Sequence, residues 1–284
     1  MQNKFFFSIV IPTLNEENYL PKLLTDLSKQ LNKSFEIIVV DGYSDDKTQA
    51  VVEQFMPRLP IQFYSVKKRN LSYQRNYGAA KAGGKYLIFL DADARISRLF
   101  IKNLQAEIAK SKHLIYLPKM IPGGGDYTDK ILFKLANLLV EISQNTPKPL
   151  ATGSAMVFYK DFFHLIGGYN DKSHDKKIFY PEDHEIIMRA RKSGVKAKVA
   201  KSVKFRFSLR RMKKEGKLNV LRKYILMVVE MTLRGKTNSN FSYEMGGHVY
   251  KDIPFREKRS LRKEAEKLQK LIKKTSTFFT DTLS

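Results

Sequence analysis

The sequence contains no cysteine. That excludes disulfides, thiolate chemistry and cysteine-based zinc sites, and it fits a reducing compartment. Carboxylates are scarce beside cations: Lys and Arg number 52 against 28 Asp and Glu, a formal net charge of +24. The surplus is uneven, because residues 201–284 hold 22 basic and 8 acidic side chains, or +14 of the total. Such a field draws polyanions: nucleic acid, an anionic membrane surface or phosphorylated substrates. No apolar run approaches the ~20 residues that span a bilayer, and the longest, Tyr224 to Leu233, is interrupted by Glu230. The first residues, Met-Gln-Asn-Lys-Phe-Phe-Phe, carry no small-residue cleavage site. No signal peptide is therefore expected, and a soluble or peripheral protein is. Internal repeats and low-complexity segments are also absent.

What is there is a chain of 284 residues, 43% hydrophobic, enough for a sizeable core in one large domain or two. Phe5 to Ile11, Phe35 to Val40, Ile61 to Val66 and Tyr86 to Leu90 read as strands. Between them, Leu20, Leu23, Leu24, Leu27 and Leu31 repeat at helical spacing, Val51, Val52 and Phe55 mark a second helix, and residues 72–78 a third. Pro12 is expected to stop the first strand, Asn15 to cap the first helix, and Ser44 or Asp45 to cap the second. Strands alternating with helices imply an α/β fold with a parallel, doubly wound sheet. Beyond about residue 110 the rhythm changes. A strand from His113 to Met120, a flexible break at 122–125, a helix from Ile131 to Ile142 and a strand from Ala155 to Tyr159 are expected. A mobile loop over 170–177, a helix opened by Pro181-Glu182-Asp183, one or two strands in 196–207 and basic helices over 217–234 and 256–274 complete the reading.

The most telling stretch is Tyr86 to Asp93. Five apolar or aromatic residues end on two carboxylates, Asp91 and Asp93, separated by the small Ala92. Carboxylate oxygens suit a hard divalent cation such as Mg²⁺ or Mn²⁺, which keeps its other positions for water and phosphate. In an open α/β sheet, ligands sit beyond the carboxyl ends of the strands, where this pair would lie. A strand running into an Asp-rich turn is the plainer alternative.

The order Pro12-Thr13-Leu14-Asn15-Glu16, Asp41-Gly42-x-Ser44-x-Asp46, Arg75-Asn76-x-Gly78, Asp91-x-Asp93 and Glu182-Asp183 resembles the family 2 glycosyltransferases. The resemblance covers roughly residues 5–215. It implies a GT-A fold, a Rossmann-like, mostly parallel sheet with helices on both faces, whose nucleotide-binding half would end near residue 110. An acceptor half would occupy 111–215, and 216–284 would form a basic helical extension. It implies that Pro12, Thr13, Asn15 and Glu16 line a nucleotide-sugar pocket with Ser44, that Asp41 accepts a hydrogen bond from the base, and that Arg75 reaches the nucleotide or its phosphates. Asp91, with Ala92 beside it, would face the ribose or metal, and Asp93 would bind a Mg²⁺ or Mn²⁺ ion bridging the diphosphate. Asp183 would be the general base, with Glu182 beside it. Ser208-Leu209-Arg210-Arg211 resembles a Ser-x-Arg-Arg element of some members, and Arg210 and Arg211 there could clamp a diphosphate. The Gln-x-x-Arg-Trp of processive members is absent, and the chain has no tryptophan at all, which argues against a polymer synthase.

The implied partners are a UDP- or GDP-linked sugar and a hydroxyl acceptor on a glycan or a lipid. If the acceptor were a polyprenyl phosphate, already anionic, Asp183 would not be needed as base. The apolar segment 220–233, flanked by cations, and the basic helix near 255–274 suggest an anionic membrane surface, on the cytoplasmic face of the cell membrane. A core helix beside a solvated charged helix is the equal alternative for the first of these. The charge alone also suggests a nucleic-acid-binding protein. That rival leaves the acidic motifs unexplained and no nucleic-acid motif is present, so nucleic acid is not an expected partner. Intact Asp93 and Asp183 argue against a catalytically dead nucleotide-sugar binder.

Overall fold

A computed structural model of the chain describes residues 5–171, 181–217 and Val220. The chain forms two compact units, and among the described residues the first runs through Leu209 while the second begins at Arg210. The first unit opens with β1 (Phe7–Thr13), α1 (Leu20–Ser28), β2 (Phe35–Asp41), α2 (Thr48–Phe55), β3 (Ile61–Ser65), α3 (Leu71–Lys81) and β4 (Tyr86–Leu90). It continues through β5 (Arg95–Ile96), α4 (Phe100–Ser111), β6 (Ile115–Pro122), α5 (Tyr127–Ser143), β7 (Ala155–Tyr159), α6 (Lys160–Leu165), α7 (Glu182–Lys192) and β8 (Lys198–Phe207). The second unit opens with α8 (Arg210–Glu215).

The strands form one sheet in the order β3-β2-β1-β4-β7-β6-β8-β5. β1, β2, β3 and β4 are parallel throughout, β6 and β8 are parallel, and β7 runs antiparallel to both of its neighbours. Every residue of β1, β2 and β4 is buried. That is why these strands read as near-continuous apolar runs without alternation. On one face Leu87 and Phe89 of β4, Met156 and Phe158 of β7, Phe163, Tyr169 and Ile186 share a core cluster.

Several boundaries differ from the sequence reading, each for a local reason. β1 runs through Pro12, which pairs with Val40, to Thr13, which pairs with Asp41. The Thr13 carbonyl accepts from Gly42 on the β2 side, so Pro12 faces β4, whose ladder has already ended at Val10. No donor is required there, and proline is tolerated. Asn15 does not cap α1; it sits in a left-handed turn (φ 54°), and the helix begins five residues later with no side-chain cap. Leu31 lies beyond the end of that helix and is exposed. Neither Ser44 nor Asp45 caps α2; Asp46 accepts from the Thr48 amide instead. The strand expected to end at Met120 continues to Pro122, and the stretch 196–207 holds the single strand β8 (Lys198–Phe207), whose register against β6 shifts after Pro118. Expectations for the loop 172–177 and for most of the two basic helices lie outside the described residues. Among the described residues, no helix is long and apolar enough to cross a membrane.

Glycine 84 shows how closely the elements seat. A Cβ built on it would lie 2.6 Å from the Phe7 carbonyl carbon and 2.7 Å from the Ser8 nitrogen, both backbone atoms of β1. Gly84→Ala should therefore cost about 1–3 kcal/mol, the usual range for overpacking. Urea denaturation measures it, and an unshifted midpoint would show that the two segments separate freely.

Candidate active site

Two loops at the carboxyl edge of the sheet are stitched together by the motif residues. Asp41, which ends β2, is buried, and its Oδ1 accepts from Thr13 Oγ1 (2.8 Å) and Ser44 Oγ (2.6 Å). Its Oδ2 accepts from the Ser44 amide (2.8 Å). Ser44 Oγ in turn accepts from the Asn15 amide, and Asn15 Oδ1 accepts from the Asp45 amide, each at 2.8 Å. The Glu16 amide donates to Thr48 Oγ1 (2.8 Å) and the Glu17 amide to Asp46 Oδ2 (3.0 Å). Pro12, Thr13 and Glu16 are buried, whereas Asn15 and Ser44 are half-buried at the rim. A carboxylate offers about four lone-pair sites, so Asp41 retains one for a ligand after its three bonds within the protein.

The second cluster is built around Arg75, on α3, which is 1% exposed. Its Nη2 donates to Asp91 Oδ1 (2.9 Å) and to the Gly153 carbonyl (3.0 Å), and its Nη1 donates to Glu182 Oε1 (3.0 Å). The guanidinium also lies 5.1 Å from the centroid of the buried Tyr169 ring. Burial disfavours the Arg75 cation, but Tyr169, Asp91, Glu182 and Asp183 more than offset it and hold its pKa above the ordinary value. Desolvation is also the largest influence on Glu182 and raises its carboxyl; Arg75 opposes the rise, and Asp183 and Asp91 add to it. Arg75 was expected to reach the nucleotide or its phosphates. The structure places both of its terminal nitrogens against acceptors of the protein, and its buried Nε has no hydrogen-bond partner among the described residues.

The neighbouring motif positions have equally concrete roles. Asn76 pins the backbone of Tyr169 on both sides, donating to its carbonyl (2.7 Å) and accepting from its amide (2.8 Å). Gly78 lets α3 lie on β1, since a Cβ there would meet Val10 Cγ1 at 2.4 Å. Tyr169 and Gly153 belong to none of the motifs read from the sequence. The signals were the adjacent glycines at 167 and 168, and a glycine just before a strand.

Asp91, Ala92 and Asp93 leave the end of β4, with Ala92 buried and the two carboxylates half-buried. The Asp91 amide donates to the Ser154 carbonyl (3.1 Å). Across that segment, a Cβ on Gly153 would lie 3.3 Å from Asp183 Oδ2, so Asp183 sits directly over Gly153. Asp183 Oδ1 accepts from the His184 amide (2.9 Å), and His184 is buried with Nδ1 accepting from Ala151 (3.3 Å). The structure thus brings Arg75, Asp91, Glu182 and Asp183 into one cluster through the Gly153 segment. Arg210 and Arg211 open α8 in the second unit.

Among the described residues no group of three or more His, Asp or Glu side chains could hold a metal on its own. The Asp91 and Asp93 pair nevertheless fits an ion that keeps most of its coordination for water and phosphate, because Mg²⁺ is usually held by one or two carboxylates plus substrate oxygens. Asp91 Oδ1 is engaged by Arg75, which leaves Oδ2 for such an ion.

Residues 8–167 match the model of the family described as glycosyl transferase family 2. The match spans more than half of the chain, and the chain belongs to this family. It is 28% identical over 207 residues to a Methanococcus voltae protein named dolichyl N-acetyl-alpha-D-glucosaminyl phosphate 3-beta-D-2,3-diacetamido-2,3-dideoxy-beta-D-glucuronosyltransferase, covering 67% of this chain and 63% of that one. It is 30% identical over 132 residues to the poly(ribitol-phosphate) beta-N-acetylglucosaminyltransferase TarS of Staphylococcus aureus, covering 45% of this chain and 23% of TarS. The chain therefore spans less than two thirds of either relative's length. In fold it resembles TarS residues 1–349 solved with UDP-GlcNAc (TM-score 0.57, 21% identity, 71% of this chain and 58% of that one). It also resembles the Pyrobaculum calidifontis mannosyltransferase PcManGT solved with GDP-Man and Mn²⁺ (TM-score 0.60, 18% identity, 78% and 64%). These likenesses establish the GT-A architecture, with its mostly parallel sheet.

Removing one partner of a buried ion pair leaves an uncompensated charge, at a cost of about 3–5 kcal/mol. Arg75→Met should destabilise the protein by that order in chemical denaturation. Adding Glu182→Gln should cost less than the two single changes summed, because they share one interaction. Strict additivity would show that the pair is not coupled.

Proposed function

We propose that the chain transfers a sugar from a UDP- or GDP-linked donor to a hydroxyl acceptor, with inversion at the sugar carbon. The observation that carries this reading is the meeting of Asp91, at the end of β4, with Asp183, at the start of α7, on either side of Gly153-Ser154. The nucleotide would lie over the stitched loops at the ends of β1 and β2, against Pro12, Thr13, Asn15, Glu16, Asp41 and Ser44. Asp93, with Asp91, would hold a Mg²⁺ or Mn²⁺ ion against the diphosphate. Such an ion, when bound, neutralises charge growing on a leaving phosphate as a Lewis acid.

The chain's own residues divide the remaining work. Inversion needs a single displacement, with the acceptor hydroxyl deprotonated on the side opposite the leaving group, and one positioned carboxylate suffices as base. Asp183 would take that proton. Glu182, tied to Arg75, fixes the first turn of α7 from which Asp183 projects. The relatives' names support an acceptor on a glycan or lipid, since one is named for a dolichyl phosphate-linked sugar and the other for poly(ribitol-phosphate). A basic C-terminal extension over 216–284 would favour an anionic membrane surface, at the cytoplasmic face.

Calorimetry with UDP, GDP and their sugars, in Mn²⁺ and in EDTA, tests the donor half. One nucleotide should bind in a metal-dependent way, and Asp93→Ala should abolish that dependence. Asp183→Asn should keep donor binding and lower turnover by about 10²–10⁴-fold, the usual share of a general base. Failure of the wild type to bind any of these nucleotides would overturn the reading. Full turnover in Asp183→Asn would remove the base.

A further inference from the structure

We propose that Tyr43 is the platform on which the donor's nucleobase stacks. The inference rests on the nucleotide-sugar reading and adds to it a residue that the motif pattern leaves as a variable position. Among the described residues three that are not glycine have a left-handed backbone: Asn15 (φ 54°), Tyr43 (φ 60°) and Lys112 (φ 46°). Lys112 follows the last turn of α4, where that conformation commonly closes a helix. Asn15 and Tyr43 lie in the two stitched loops at the carboxyl edge of the sheet.

Those two residues are not equivalent. Asparagine tolerates the left-handed region, and Asn15 gains two hydrogen bonds there, from its amide to Ser44 and from Asp45 to its side chain. A bulky aromatic residue is a genuine outlier at positive φ, and Tyr43 shows no compensation of that kind. The residue is 58% exposed, and its side chain makes no hydrogen bond or ring contact among the described residues. The backbone around it is instead clamped from three directions. Arg69 Nη2 donates to the Tyr43 carbonyl and to Asp45 Oδ2, each at 2.8 Å, and Arg69 Nε donates to the Gly42 carbonyl (3.3 Å). The Gly42 amide donates to Thr13 (2.8 Å), and the Ser44 amide to Asp41 (2.8 Å).

Strained conformations persist where the surroundings over-determine them, and they cluster at ligand sites. A glycine would satisfy this turn without strain. The ring at position 43 therefore adds nothing to the fold, and its use lies in what it meets from outside. It sits two residues from Asp41, whose remaining lone pair could take a hydrogen bond from the edge of a planar heterocycle while the tyrosine covers its face. Stacking of this kind is tolerant of base identity, so Tyr43 serves uracil and guanine alike.

Tyr43→Asn and Tyr43→Phe test this in the full chain, titrated in Mn²⁺ with UDP, GDP and inorganic pyrophosphate, alongside melting temperatures. Asparagine accepts the backbone but has no ring; phenylalanine keeps the ring. Tyr43→Asn should bind the wild type's nucleotide about 5- to 150-fold more weakly, the range for one aromatic–base stack. It should bind pyrophosphate as the wild type does and melt no lower. Tyr43→Phe should retain nucleotide affinity. Unchanged nucleotide binding in Tyr43→Asn, an equal loss for pyrophosphate or a lowered melting temperature would each overturn the proposal while leaving the donor reading intact. A wild type that binds pyrophosphate but neither nucleotide would overturn both.

Discussion

A guanidinium cannot be left alone in a protein interior, and the architecture around Arg75 follows from that constraint. Taking a cation out of water costs several kcal/mol after relaxation, so both terminal nitrogens of the fork are met by acceptors. Here the acceptors come from three separate stretches: Asp91 behind β4, Gly153 ahead of β7 and Glu182 at the start of α7. Once α3 is laid on β1 through Gly78, Arg75 sets where those stretches converge. The Asp91 and Glu182 motifs, far apart in the chain, are thereby brought to one place by a residue that is itself inaccessible.

The loops above β1 and β2 solve a different problem with neutral groups. Asp41 is a buried carboxylate with no cation beside it among the described residues, held by two hydroxyls and an amide. Such donors stabilise the charge while leaving the surface short of positive partners for a ligand to displace. They also lock the loop geometry, because each donor is itself held. Thr13 is fixed in the ladder, and Ser44 is fixed by the Asn15 amide. A rigid rim of this sort costs little reorganisation when something binds, which is the physical content of preorganisation.

What the sequence made legible was whatever depends on local pattern. Apolar runs located β1 to β4, and the order of short polar motifs identified the family and the GT-A fold. Long-range packing was not legible. Pro12 looked like a terminator because the one-sided demand for donors at that point depends on where β4 stops pairing. Asn15 looked like a cap because nothing local says that Ser44 will claim its amide. Nothing local to Arg75 shows the buried bonds it makes, since its three acceptors lie 16 to 107 residues away. Nor did pattern mark Tyr43, whose strain is a backbone property invisible in residue identity.

The departure from a parallel sheet is what completes the cluster. In a parallel sheet the ends of all strands that carry ligands point the same way, and the residues preceding each strand lie at the opposite edge. β7 runs antiparallel to β4, with Ala155 opposite Leu90. The residues just before it, Gly153 and Ser154, therefore arrive beside Asp91 instead of across the sheet. Had β7 been wound parallel, Gly153 would lie far from Arg75 and Asp183 would have no small residue to sit over. One reversed strand thus carries the second half of the chain to the same edge as the first. It also accounts for the break in the βαβ rhythm beyond about residue 110, where the sheet is no longer wound in one direction.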